Sequence, residues 1–99
     1  MYRLRQTDIF AKWLGGLRDA KAKARILARL ESARLGNLGD TRALGGGIHE
    51  IRVHVGPGYR VYFALRRDTV LLLLCGGAKS RQTRDIERAR AMLAQLDRE

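Results

Sequence analysis

In the stretch from Ile48 to Lys79 the ionisable residues fall on one side of the alternation, which core building alone does not require. Its first run, Ile48 to Val55, places Ile51, Val53 and Val55 at the period of a half-buried strand, with Glu50, Arg52 and His54 on the opposite face. A second run, Tyr59 to Arg66, alternates Tyr59, Val61, Phe63 and Leu65 with Arg60, Tyr62, Ala64 and Arg66. Between them Gly56-Pro57-Gly58 cannot continue a strand, because Pro lacks a donor and Gly favours the positive φ of tight turns, so the chain folds back as a hairpin. If Val55 pairs with Tyr59 across that three-residue loop, His54 faces Arg60, Arg52 faces Tyr62 and Glu50 faces Ala64. One face then gathers a carboxylate, an imidazole that titrates near neutral pH and several guanidiniums, groups suited to holding an anion and moving a proton. His49 has the opposite parity and reads as structural.

The remaining elements must hold that hairpin in place. Arg67-Asp68 makes a second tight turn, and Thr69 to Cys75 is apolar throughout: too short to cross a membrane, it reads as a central strand covered on both faces. Tyr2 to Gln6 reads as a short edge strand. Thr7 is an N-cap, after which Phe10, Trp13, Leu14 and Leu17 form the stripe of an amphipathic helix, which Gly15-Gly16 ends or bends. The Trp13 ring is of a kind that stacks bases, but its spacing assigns it to the core. Asp19 opens a second helix to Leu35 with Ile26, Leu27, Leu30 and Ala33 inward. Its outward side carries Arg18, Lys21, Arg25 and Arg29, either a ridge that tracks phosphates or an ordinary solvated helix face. Leu35-Gly36-Asn37 is a C-cap signature, and Gly36 to Gly47 is a glycine-rich connection into the sheet. Gly76-Gly77 breaks the strand after Cys75, and Thr83 to Glu99 forms a last helix with Ile86, Ala89, Leu93 and Leu96 inward. The order is β-α-α-β-β-β-α, an α+β fold of helices against an antiparallel sheet in a single domain, residues 1–99.

Composition narrows the partners. Twenty Lys and Arg against ten Asp and Glu give a formal charge of +10, spread over the whole chain, which points to a polyanion, nucleic acid first. One cysteine excludes an intrachain disulfide, and the absence of a signal-peptide pattern after Met1 points to a cytoplasmic protein with no membrane partner. One Cys and two His lack the clustered spacing of a zinc site, and Gly45-Gly46-Gly47 precedes a strand where a phosphate-binding fingerprint precedes a helix, so neither a metal nor a cofactor is expected. Cys75, at a strand end, reads as a small buried hydrophobe.

The series Trp13-Leu14, Leu17-Arg18-Asp19, Gly36-Asn37, Gly39-Asp40, Glu50-Ile51-Arg52, Gly56-Pro57-Gly58-Tyr59-Arg60-Val61-Tyr62-Phe63, Leu72-Leu73-Leu74, Gly76-Gly77, Lys79, Gln82 and Asp85-Ile86 resembles the "addiction module killer protein" branch of the RelE/HigB-like toxins, from about Trp13 to Ala89. The resemblance implies the toxin half of a bacterial type II toxin-antitoxin pair with the element order given above. It implies as partners a cognate antitoxin, usually a small helix-turn-helix protein, and through that complex operator DNA. Many relatives enter the ribosome and cut mRNA, whereas ParE-like members inhibit DNA gyrase without cutting RNA; a third reading is a nucleic-acid-binding module in operon repression.

Metal-free RNA cleavage needs a base for the 2′-hydroxyl, cations for the phosphate and a donor for the departing 5′-oxygen. Glu50 is the candidate base, with an ion pair to Arg52 or Arg60 as its structural alternative. Arg60 is the strongest candidate: mRNA-cleaving relatives place a catalytic arginine on the equivalent strand, where a guanidinium can grip a phosphate with a bidentate fork. Lys79 is assigned to phosphate binding or to protonation of the leaving group. Arg52, His54, Tyr62 and Arg81, with Arg18, Lys21 and Arg25, complete the expected RNA-binding set. The sequence departs from the family pattern in two places: its C-terminal tail has neither the His nor the Tyr found in several mRNA-cleaving relatives, and Ala78 stands where this branch commonly has Asp.

Overall fold

A computed structural model describes all of residues 1–99. The elements run β1 (Arg3–Gln6), α1 (Asp8–Gly15), α2 (Ala20–Arg34), β2 (Thr41–Gly45), β3 (Ile48–Val53), β4 (Tyr59–Arg66), β5 (Val70–Ala78), one 3₁₀ turn (Lys79–Arg81) and α3 (Gln82–Asp97). Both predicted caps close their helices. Thr7 Oγ1 accepts from the Phe10 amide at 3.0 Å, and Asp19 Oδ1 accepts from the amides of Lys21 and Ala22 at 3.1 Å.

The sheet is ordered β1-β5-β4-β3-β2, with β1 parallel to β5 and the other pairs antiparallel, so it is mixed, not antiparallel throughout. The central strand is β4, not the apolar β5. The glycine-rich connection contains an additional strand, β2, which pairs with β3 from Thr41↔Ile51 to Gly45↔Ile48. Nor does Gly76-Gly77 break β5: the strand pairs through both residues, Val61↔Gly76 and Arg60↔Gly77, and ends at Ala78.

The two sheet faces are packed differently. Ile51, Val53, Tyr59, Val61, Phe63, Leu71 and Leu73 meet Phe10 and Leu14 of α1 and Ala22, Ile26, Leu30 and Ala33 of α2 in one apolar cluster. On the other face Ile48, Tyr62, Ala64, Leu74 and Cys75 meet Ala89 and Leu93 of α3. Helix α2 buries Ile26, Leu30 and Ala33 as predicted, but Leu27 points outward and is 49% exposed. Arg29, predicted on the solvated ridge, instead donates to the carbonyls of Arg52, Leu38 and Asp40 and ties α2 to the end of β3.

Candidate active site

The β3–β4 hairpin sets the site. Strand pairing begins at Val53↔Tyr59, so the loop spans residues 54–58 and the register lies two residues from the predicted one. Gly58 N–H donates to the Val55 carbonyl at 2.9 Å, and Gly56 and Gly58 take φ of 56° and 85°, closing a wider turn than three residues allow. A two-residue shift preserves parity, so the polar residues still share one face, with new neighbours: Arg52 lies opposite Arg60 and Glu50 opposite Tyr62.

Arg60 is 6% exposed and Glu50 is fully buried. Arg60 Nε lies 3.0 Å from Glu50 Oε2 without the alignment of a hydrogen bond, so the contact is an ion pair. Gln82, at the start of α3, donates from Nε2 to both Glu50 oxygens, at 3.0 and 3.3 Å. Glu50 therefore occupies the ion-pair alternative: shielded by Arg60 and Gln82, its carboxylate has no open approach to a substrate hydroxyl.

Arg60 forms the floor of a pocket of about 370 Å³ with His54, the Gly56-Pro57-Gly58 turn and Lys79. Lys79 is exposed and is tied to the hairpin by its amide, which donates to the Gly58 carbonyl at 2.9 Å. The pocket thus brings together Arg60 and Lys79 from the ends of two strands. His54 leaves the sheet face on which it was predicted and lines the pocket from the loop, its Nε2 lying 2.6 Å from Asp40 Oδ2. That hydrogen bond, with help from nearby Arg52, holds the Asp40 carboxyl below the usual carboxylate range. The contact to Asp40 orients the imidazole through Nε2 and leaves Nδ1 outside that contact.

Other predicted residues are placed apart from this pocket. Tyr62 is wholly buried and its hydroxyl has no partner; burial first, then the Glu50 charge, pushes its ionisation well above the ordinary phenol value. The sequence reading set it among the RNA contacts, whereas its side chain packs inside the cluster under α3. Arg52 is half-buried with Nε unpartnered. Arg18, Lys21 and Arg25 are exposed along the start of α2, whose cap residue Asp19 neighbours Gly56. Arg81 is exposed beside Asp85, Arg88 and Trp13 in a separate cleft. Cys75 is buried, and desolvation raises its thiol to about 11, which keeps it protonated. His49 stacks on Phe63, ring centroids 5.2 Å apart. No three of the His, Cys, Asp and Glu side chains converge as metal ligands. Sequence reasoning gave no role to Asp40 or Gln82, although both stand in the series that carries the family resemblance.

The fold has counterparts. It superposes on the E. coli RelBE toxin-antitoxin complex with a TM-score of 0.53 at 18% identity, covering 79% of this chain and 96% of that one. It superposes on the Helicobacter pylori protein HP0894 with a TM-score of 0.51 at 23% identity, covering 81% and 97%. A small α+β domain of this topology defines the class, the RelE-like fold. Residues 12–95 match the model of the phage-derived Gp49-like protein family, so the chain belongs to that family, one of RelE-like toxins. An uncharacterized protein of Haemophilus influenzae is 39% identical over 94 residues, 95% of each chain. No helix is long and apolar enough to cross a membrane.

Proposed function

We propose that the chain is the toxin of a type II toxin-antitoxin module and cleaves mRNA at the ribosome. The observation that carries this reading is the pocket in which a buried, pre-oriented Arg60 meets Lys79 and His54. A guanidinium paired with Glu50, itself held by Gln82, needs little reorganisation to receive the charge that grows on a phosphate. In this scheme His54 Nδ1, oriented by Asp40, takes the 2′-hydroxyl proton; the 2′-oxygen attacks phosphorus and the bond to the 5′-oxygen breaks. Lys79 gives the leaving oxygen its proton, and the products are a 2′,3′-cyclic phosphate and a free 5′-hydroxyl. Glu50 and Gln82 act as positioning residues. Arg52 and the exposed Arg18, Lys21, Arg25 and Arg81 supply phosphate contacts along the strand.

The partners that follow are the ribosome, mRNA and a cognate antitoxin, with operator DNA reached through the antitoxin complex; a cytoplasmic site of action fits them. An acidic antitoxin segment laid over the Arg60 pocket would silence the toxin by charge complementarity. Primer extension on an mRNA in a reconstituted translation reaction, with and without ribosomes, tests this function. Cuts that appear only with ribosomes support it. Intact mRNA with folded protein overturns it and directs the next assay to DNA gyrase supercoiling.

A further inference from the structure

A second cleft, of about 280 Å³, lies beside the C-terminal end of β5 and is lined by Trp13, Tyr59, Gly76, Asp85, Arg81 and Arg88 among others. Three of its features fit one kind of ligand. Its wall is aromatic: the Trp13 and Tyr59 rings are tilted with centroids 6.2 Å apart, and Trp13 is held against Gly76, where a Cβ would come within 2.4 Å of the indole. Its rim is cationic, since Arg81 and Arg88 are both exposed and neither forms an ion pair. Asp85 belongs to its floor, is 3% exposed and has an Oδ2 with no hydrogen-bond partner.

The strand edge here is also open. β1 covers β5 only as far as Leu73, and Thr7 caps Leu73 and Leu74, leaving Gly76 to Ala78 with no neighbouring strand on that side. An aromatic wall and two unpaired guanidiniums beside a strand edge that no other strand covers match a base and its phosphate. The cleft adjoins the Arg60 pocket through consecutive residues, Tyr59 to Arg60 and Ala78 to Lys79.

We propose that this cleft is a nucleotide subsite, packing one RNA base against Trp13 and holding its phosphate on Arg81 and Arg88, next to the phosphate bound at Arg60. The inference rests on the reading that the chain acts on RNA, yet binding at the cleft is measurable without cleavage. The chain has one tryptophan, so its indole N–H gives a single nuclear magnetic resonance signal. The full chain is titrated with each of the four ribonucleoside 5′-monophosphates, and with ribose 5-phosphate and inorganic phosphate as controls.

The expected result is a saturable shift of the Trp13 indole and of the Gly76 and Gly77 amides by at least one nucleotide. The controls should leave the indole unmoved. In the Arg81→Ala/Arg88→Ala variant, both changes being at exposed positions, affinity should fall about tenfold or more, as for two lost charge-assisted hydrogen bonds. Arg60→Lys should bind nucleotide at the cleft as the unaltered chain does, even where mRNA cleavage is lost. Shifts confined to Gly58, Arg60 and Lys79 would overturn the subsite while leaving the catalytic reading intact. An indole response to inorganic phosphate equal to that of the nucleotides, or undiminished affinity in the double variant, would overturn it as well.

Discussion

The two faces of the sheet are built to different rules. Under α1 and α2 the buried side chains form one apolar cluster centred on Phe10, Ile26, Ile51 and Phe63. Under α3 the apolar cluster is smaller, and all three buried charged residues, Glu50, Arg60 and Asp85, lie on that side. So do the buried polar atoms that lack a hydrogen-bond partner: Arg52 Nε, Tyr62 Oη, Asp85 Oδ2 and Arg60 Nε, the last of which is ion-paired with Glu50. A buried polar group without a hydrogen bond costs on the order of 1–3 kcal/mol, so folding alone would favour apolar residues at these sites. The α1–α2 face supplies stability; the α3 face gives some of it up to hold cations in a fixed geometry beside an open pocket.

Disrupting the Glu50–Arg60 pair should produce the largest effect. Arg60→Ala leaves a buried carboxylate without its countercharge and is expected to destabilise the chain by about 3–5 kcal/mol in urea unfolding. Glu50→Gln with Arg60→Met removes both charges and should recover most of that loss. If the double variant is as unstable as the single one, the burial argument fails.

On the boundary between the faces, Gly76→Ala drives a methyl group into the Trp13 ring, with contacts of 2.4 to 2.8 Å that the indole can relieve only by moving. A loss of about 1–3 kcal/mol is expected, as for other overpacked sites, and a shift in tryptophan fluorescence should accompany it. Tyr62→Phe sharpens the comparison from the other side. Removing an unpartnered hydroxyl should leave stability unchanged or raise it by up to about 1 kcal/mol, with cleavage retained. A large loss of cleavage in that variant would give the Tyr62 hydroxyl a part in the reaction and contradict this reading.

The smallest effect is a pH dependence. Burial raises the Asp85 carboxyl above its ordinary value of 3.8, opposed by Arg81, Arg88 and Arg84, so the native state binds this proton more tightly than the unfolded chain. The Asp85 contribution is therefore greatest below the unfolded value and declines as pH rises from there through the elevated native value. Asp85→Asn should flatten that part of the stability profile in thermal melts taken from acid to neutral pH. An unchanged slope would contradict the assignment.

How much of this was legible in the sequence follows the same division. Helices α1 and α2 and their caps were readable because an apolar stripe faces a wholly apolar surface. The polar face was also readable, since a strand alternates with period two and a two-residue slip leaves parity intact. The slip itself was not. Val55 is apolar and continues the alternation, but the turn takes it out of the ladder, a choice made by backbone geometry at Gly56 and Gly58. Strand β2 was hidden because only Leu44 and Thr41 point partly inward and pairing with β3 supplies the rest. Gly76-Gly77 resembled a strand end because the reasons for those glycines, Trp13 against one and Asp85 against the other, lie on two helices that only the fold brings against the strand. Spacing put Glu50 on the same face as Arg60 but opposite Ala64; the contact with Arg60 and the burial that separates a positioning carboxylate from a base come from the structure.

The most direct test of the central claim is the rate of mRNA cleavage by the Glu50→Gln/Arg60→Met variant in a reconstituted translation reaction, with its fold verified by circular dichroism. If the fixed guanidinium stabilises the charge on the phosphate, cleavage should fall by about 10²–10³-fold in a fully folded protein. Cleavage at the wild-type rate would place the chemistry somewhere other than the Arg60 pocket.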